Sequence, residues 1–112
     1  MTRDRSTQVW FCYVVRAADG SLYTGITCDI NRRLLEHNGA AKRGAKALRG
    51  KRPVTLLFSV ELADRGQASR LEWKIKQLDK ATKERLVKGD IKVQELDPLN
   101  TIFPHSEQEG DR

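Results

Sequence analysis

Apolar and polar positions divide this chain into short elements. Residues 9–16 (VWFCYVVR) are aromatic and β-branched and predict a strand. Ala18-Asp19-Gly20 is a turn signal, and residues 21–26 predict a second strand, so the two form a hairpin. A two-residue Asp19-Gly20 loop would put Tyr13 and Tyr23 on opposite faces. A three-residue loop with Gly20 in the left-handed position pairs 13 with 25 and 15 with 23, which puts both tyrosines on one face; we expect the latter. A helix is expected over about 29–38, with Asp29 as N-cap and Asn38-Gly39 as its stop. Residues 39–53 hold Gly39, Gly44, Gly50 and Pro53 and read mostly as loop. A third strand over 54–62 and helices over 65–79 and 81–89, the last beginning near Thr82, complete the pattern. The order β-β-α-β-α-α predicts a small three-stranded sheet flanked by helices, an α/β domain of the α+β type rather than a doubly wound sheet.

Polar residues interrupt both principal apolar stripes. On the first helix Ile30, Arg33, Leu34 and His37 fall at i, i+3, i+4 and i+7, the face expected toward the core, with Arg32 and Glu36 on the other side. On the second, Ala68, Leu71, Ile75 and Leu78 form the stripe, Glu72 lies within it, and Trp73 and Lys76 flank it. Buried Arg and Glu need partners. Each has a plain structural reading, a snorkelling Arg or an Arg33–Glu72 ion pair. If instead a carboxylate, a guanidinium, an imidazole and two phenols converge, they could neutralise a phosphate, hold a hard cation and move a proton.

Composition bounds the partners. The 112 residues are 38% hydrophobic and 32% charged, which suits one domain with net charge +6. Residues 93–112 carry five acids against Arg112 alone, so residues 1–92 carry +10. A body that basic favours a polyanion, and nucleic acid before a membrane surface. Lys42, Arg43, Lys46, Arg49, Lys51 and Arg52 make a patch with no acid between them, expected to contact phosphates rather than bases. No apolar run reaches membrane-spanning length and none follows Arg3-Asp4-Arg5 as a secretion signal, so a cytoplasmic location is expected. Cys12 and Cys28 lack a zinc spacing and read as reduced thiols. The expected organisation is a flexible 1–8, a domain over 9–90, and an acidic tail over 91–112, loose but with room for one short segment packed back.

These residues resemble the GIY-YIG nuclease family over roughly 9–89. Phe11-Cys12-Tyr13 stands where the family has GIY, and Tyr23-Thr24-Gly25 where it has YIG. Arg33 follows the second tyrosine by ten residues, as the family's catalytic arginine does, and His37 matches its common histidine. Glu72 matches the metal-binding glutamate on the later helix. Residues 44–54 look like the basic loop of the small stand-alone bacterial members, and His37-Asn38-Gly39 is similar to the helix end in the branched-DNA nucleases. Phe11 and Cys12 replace glycine and isoleucine, and Thr24 replaces an aliphatic residue. The asparagine of some homing-type members has no clear counterpart.

The resemblance implies a DNA endonuclease hydrolysing phosphodiester bonds with one Mg²⁺ or Mn²⁺ on Glu72, selective for structure rather than sequence, with a role in DNA repair or recombination. Arg33 would face the phosphate oxygens. Tyr13 is the expected general base, with Tyr23 and His37 orienting or relaying the proton. A free phenol has a pKa of about 10, so Arg33 and the metal are expected to lower it. Gly25 would permit a close approach near the tyrosines. DNA is favoured over RNA. The alternatives are a non-catalytic nucleic-acid-binding module and a protein-interaction domain using Trp73 or the acidic tail.

Overall fold

The computed structural model describes residues 8–39 and 45–103. Strands β1 (Trp10–Arg16), β2 (Leu22–Thr27) and β3 (Thr55–Leu62) form an antiparallel sheet in the order β2-β1-β3. Helices α1 (Ile30–His37), α2 (Arg65–Lys76) and α3 (Lys80–Lys88) complete the expected order β-β-α-β-α-α. The hairpin takes the three-residue loop. Tyr13 pairs with Gly25 and Val15 with Tyr23, the Ala17 amide donates to Ser21 O at 2.9 Å, and Gly20 has φ +89°.

The sheet separates two cores. Strand alternation sends Cys12 and Val14 to one face, where they join Leu71, Ile75 and Leu86 of α2 and α3. It sends Tyr13 and Val15 to the other face, where Ile30 and Leu34 of α1 pack with Leu48 and Val54. A bulge serves both layers. Val14 pairs with Phe58 but Val15 with Leu56, which leaves Leu57 as an extra residue in β3. Leu56 therefore packs toward α1 while Phe58, two residues later, packs toward α2.

Capping carboxylates set the helix starts. Asp29 accepts from Arg32 N, as expected, and Asp64 accepts from Gln67 N. Asp79 accepts from Thr82 N at 2.8 Å, which starts α3 at Lys80 and confines α2 to Arg65–Lys76, shorter than expected. Asn38 does more than stop α1. Its side chain accepts from Val54 N at 2.8 Å and donates to Val54 O at 3.1 Å, pinning the helix end to the start of β3. The Arg16 guanidinium forks onto Glu84 at 2.7 and 2.9 Å, and Lys80 donates to Gly20 O at 3.2 Å, joining the hairpin to α3.

The expected loose tail is corrected for residues 91–103. Val93 and Ile102 are buried in the α2-side core, with Ile91, Leu96 and Phe103 packed against it, and Val93–Leu96 forms a 3₁₀ turn. The acidic character of the segment obscured these five apolar residues. Asp97, itself buried, folds the chain back. Its carboxylate accepts from the amides of Thr101, Ile102 and Phe103 at 2.8–2.9 Å and from the Thr101 hydroxyl at 2.9 Å. Residues 1–7 and 104–112 of the expected terminal segments lie outside the described residues. Asp97→Ala strands several donors, so urea denaturation should show a loss of about 2–3 kcal/mol. A loss below about 0.5 kcal/mol would mean that this turn contributes little to folding.

Candidate functional site

Four of the five expected catalytic side chains meet on the α1 face of the sheet. Tyr13 Oη lies 2.7 Å from His37 Nε2. The Tyr23 ring stands edge-on to His37, with centroids 5.4 Å apart, and lies 6.4 Å from the Tyr13 ring. Arg33 hydrogen-bonds the Tyr13 hydroxyl. Tyr13 and His37 are only 2% and 3% exposed, whereas Tyr23 is half-buried. Ile30, Leu34 and Leu56 close the inner side and leave no space for a water molecule.

Gly25 makes this packing possible. It is the register partner of Tyr13, and the phenol lies flat across it. A Cβ at residue 25 would stand 2.5 Å from Tyr13 Oη and 2.8 Å from Cζ. The close approach expected at this glycine is thus made by the Tyr13 side chain.

Glu36 was expected on the far side of α1, and its position is corrected. Its side chain is 15% exposed, against 28% for Arg33, and accepts from Arg33 Nη1 at 2.8 Å. Residues i and i+3 lie about 60° apart around a helix, so the long Arg33 side chain turns back onto it. The i, i+3 spacing is the signal that could have found this pair. The Ala45 main-chain amide, which no sequence pattern marks, donates to His37 Nδ1 at 3.2 Å. A chain of hydrogen bonds thus runs from Glu36 through Arg33, Tyr13 and His37 to Ala45.

Glu72 is not one of the residues that meet in this cluster. It sits on α2, among residues packed on the opposite face, and pairs with Lys76 at 3.1 Å. Among the described residues it hydrogen-bonds none of the other four, so the Arg33–Glu72 ion pair does not form. Its charge is nevertheless felt on both faces, because it helps to raise the pKa of Tyr13 and of Cys12. Among the described residues no three His, Cys, Asp or Glu side chains gather as a metal-ligand set.

Burial dominates the electrostatics. It pushes the Tyr13 phenol up to about 12, with Tyr23 and Glu72 adding to the rise and Arg33 opposing it. The expected lowering is therefore corrected for the ligand-free protein, since the single guanidinium does not offset the dry inner wall. Burial, with help from Arg33, pulls His37 down to about 4 against the opposing pull of Glu36, so the ring is neutral at pH 7.

The basic segment is partly structural. Lys46, Arg49 and Arg52 are exposed. Lys51 pairs with Asp19 of the hairpin turn at 3.3 Å, an acid distant in sequence. Arg52 packs against Gly39. Lys42 and Arg43 lie outside the described residues. Trp73 is 63% exposed on α2 beside Glu72.

Two outcomes follow. Gly25→Ala should displace the Tyr13 phenol and cost about 1–3 kcal/mol in urea denaturation; wild-type stability would mean that the ring does not need this glycine. His37, with a folded pKa of about 4 against 6.5 unfolded, binds protons preferentially in the unfolded chain between those values. Its contribution is present above pH 6.5 and is lost as pH falls toward 4. Wild type should therefore lose up to about 3 kcal/mol more than His37→Gln between pH 7 and pH 4; parallel losses would contradict a buried neutral imidazole.

Comparison with known proteins bears out the family resemblance. A family model described as the GIY-YIG catalytic domain matches residues 9–85. A UPF0213 protein of Enterobacter sp. (strain 638) is 55% identical over 84 residues, covering 75% of this chain and 80% of that protein. The UPF0213 protein YhbQ of Escherichia coli O1:K1 / APEC is 50% identical over 93 residues, covering 82% and 91%. The solution structure of the UPF0213 protein BH0048 from Bacillus halodurans is 32% identical, covers 83% of this chain and 96% of that chain, and superposes with a TM-score of 0.48. With the family model spanning most of the chain and half the residues shared with small bacterial relatives, this chain belongs to the GIY-YIG family.

Proposed function

We propose that this protein is a metal-dependent endonuclease that hydrolyses phosphodiester bonds in DNA, selects strand structure rather than sequence, and serves DNA repair or recombination in the cytoplasm. The observation that carries the reading is the contact of Tyr13 with His37 and Arg33, in a family whose model is a catalytic domain. Hydrogen-bonded phenol, imidazole and guanidinium groups suit proton transfer beside an anionic centre. The exposed Lys46, Arg49 and Arg52 suit contact with phosphates and carry no base-reading pattern.

Glu72 is the residue that would hold Mg²⁺ or Mn²⁺. The fit rests on its surroundings: the carboxylate is half-buried, its ion-pair partner Lys76 is half-exposed and displaceable, and its charge reaches Tyr13. One carboxylate with substrate oxygens and water is a usual magnesium environment. Such a cation supplies Lewis-acid polarisation of the phosphoryl oxygen and positive charge near the phenol. The protein's own groups do the rest. Arg33 faces the phosphate oxygens with its planar guanidinium. Tyr13 takes the proton of the attacking water, and Tyr23 covers the imidazole. At a pKa of about 12, roughly one Tyr13 in 10⁵ is ionised at pH 7. The rate should therefore climb with pH, approaching tenfold per unit below the effective pKa of the phenol.

The alternative, a nucleic-acid-binding module without cleavage, is favoured by one feature, the engagement of Glu72 by Lys76. Cleavage of branched and single-stranded DNA with Mg²⁺ or Mn²⁺, then with EDTA, separates the two. Glu72→Gln and Arg33→Ala should each cut the rate about 100-fold or more while binding persists. Binding without metal-dependent cleavage, or full cleavage by Glu72→Gln, would favour the module or a contaminant. Lys46→Ala and Arg49→Ala should each reduce the salt slope of binding by about 1.

A further inference from the structure

The hydrogen-bond chain ends in a group that the proposed reaction leaves unused. The Ala45 amide lies 3.2 Å from His37 Nδ1. A backbone amide only donates, so Nδ1 must present its lone pair. His37 is neutral at pH 7, and a neutral imidazole carries one proton. That proton is therefore on Nε2, 2.7 Å from Tyr13 Oη. The imidazole donates and the phenol accepts.

We infer that the Ala45 main-chain amide is a positioning group: by holding His37 as its Nε2–H tautomer, it makes the imidazole a donor to Tyr13 and prevents it from receiving the Tyr13 proton. Of the two roles that the resemblance implied for His37, orienting and relaying, it then has the first: it orients Tyr13 and does not relay its proton. Arg33 also faces the Tyr13 hydroxyl as a donor. If Tyr13 ionises, both donors still face the phenolate and stabilise it. The same segment carries Lys46 and Arg49, so the group that sets the environment of Tyr13 adjoins residues proposed to contact phosphate. Among the described residues the groups around the ring are Tyr13 on β1, Tyr23 on β2, Arg33 and Glu36 on α1, and Ala45 beside Lys46.

The catalytic consequence rests on the nuclease reading, but the tautomer does not, so the test reads both. Two-bond ¹⁵N–¹H correlations identify the protonated ring nitrogen, and the chain has only two histidines, so a His105→Gln variant assigns the His37 signals. Wild type at pH 7 should show Nε2–H; Nδ1–H would overturn the inference without any variant. Ala45 has φ −58° and ψ 139°, within the range of proline. Ala45→Pro removes the amide hydrogen and should populate the Nδ1–H form, whereas Ala45→Gly keeps the hydrogen and should retain Nε2–H. An unchanged tautomer in a folded Ala45→Pro would also overturn it.

In cleavage, Ala45→Pro and His37→Ala should shift the rising limb of the pH–rate profile upward by about one unit. That lowers the rate at pH 7 about tenfold with little change in KM. His37→Gln, which can still donate to Tyr13, should recover part of the loss. A profile unmoved in His37→Ala would contradict the positioning role. Absence of cleavage by every variant and by wild type, with the Nε2–H signature intact, would defeat the nuclease reading and leave the tautomer standing.

Discussion

The site depends on a buried phenol lying flat across a glycine. Tyr13 reaches His37 because residue 25 has no side chain in its path. The polar contacts of the cluster follow from that placement. Burial makes them consequential, because an ionisable group in a dry setting is governed by its few neighbours rather than by water. Here Tyr13 and His37 shift in opposite directions from their ordinary values for one reason. Loss of solvent disfavours the anionic phenolate and the cationic imidazolium alike.

The sheet both divides and joins the functional groups. Tyrosines, arginine and histidine occupy the α1 face, and Glu72 rides on a helix of the other face. Two local features bear on the proposal that they serve a single site. The bulge at Leu57 lets one strand supply Leu56 to the floor of the cluster and Phe58 to the opposite core. The Tyr13 hydroxyl lies over Gly25 of edge strand β2, and α2 packs across β1 and β2.

Much of this was legible in the residues because the signals were local. Asp19-Gly20 and strand alternation gave the hairpin register, and helical spacing selected Arg33 and His37 for the inward face. Other features depended on contacts distant in sequence. Lys51 meets Asp19, Asn38 meets Val54, and the Ala45 amide meets His37, none of which a periodic pattern encodes. Glu36 was misplaced because an ideal wheel ignores the reach of a long arginine. The extent of the packing over 91–103 was underestimated because acidic residues outweighed Val93 and Ile102, whose burial follows from the backbone turn that Asp97 closes. The ligand-free state of Tyr13 was not legible, because the dry wall of Ile30, Leu34 and Leu56 that outweighs Arg33 there is assembled from three separate elements.

The central claim is that Glu72 and the Tyr13 cluster serve one site despite lying on helices packed against opposite faces of the sheet. Titration of Mn²⁺ into ¹⁵N-labelled protein tests it most directly, because a bound paramagnetic ion broadens the amide signals around it. Selective broadening at Tyr13, Gly25 and Glu72, abolished by Glu72→Gln, is the predicted result. Broadening confined to other carboxylates, or persisting unchanged in Glu72→Gln, would contradict the claim.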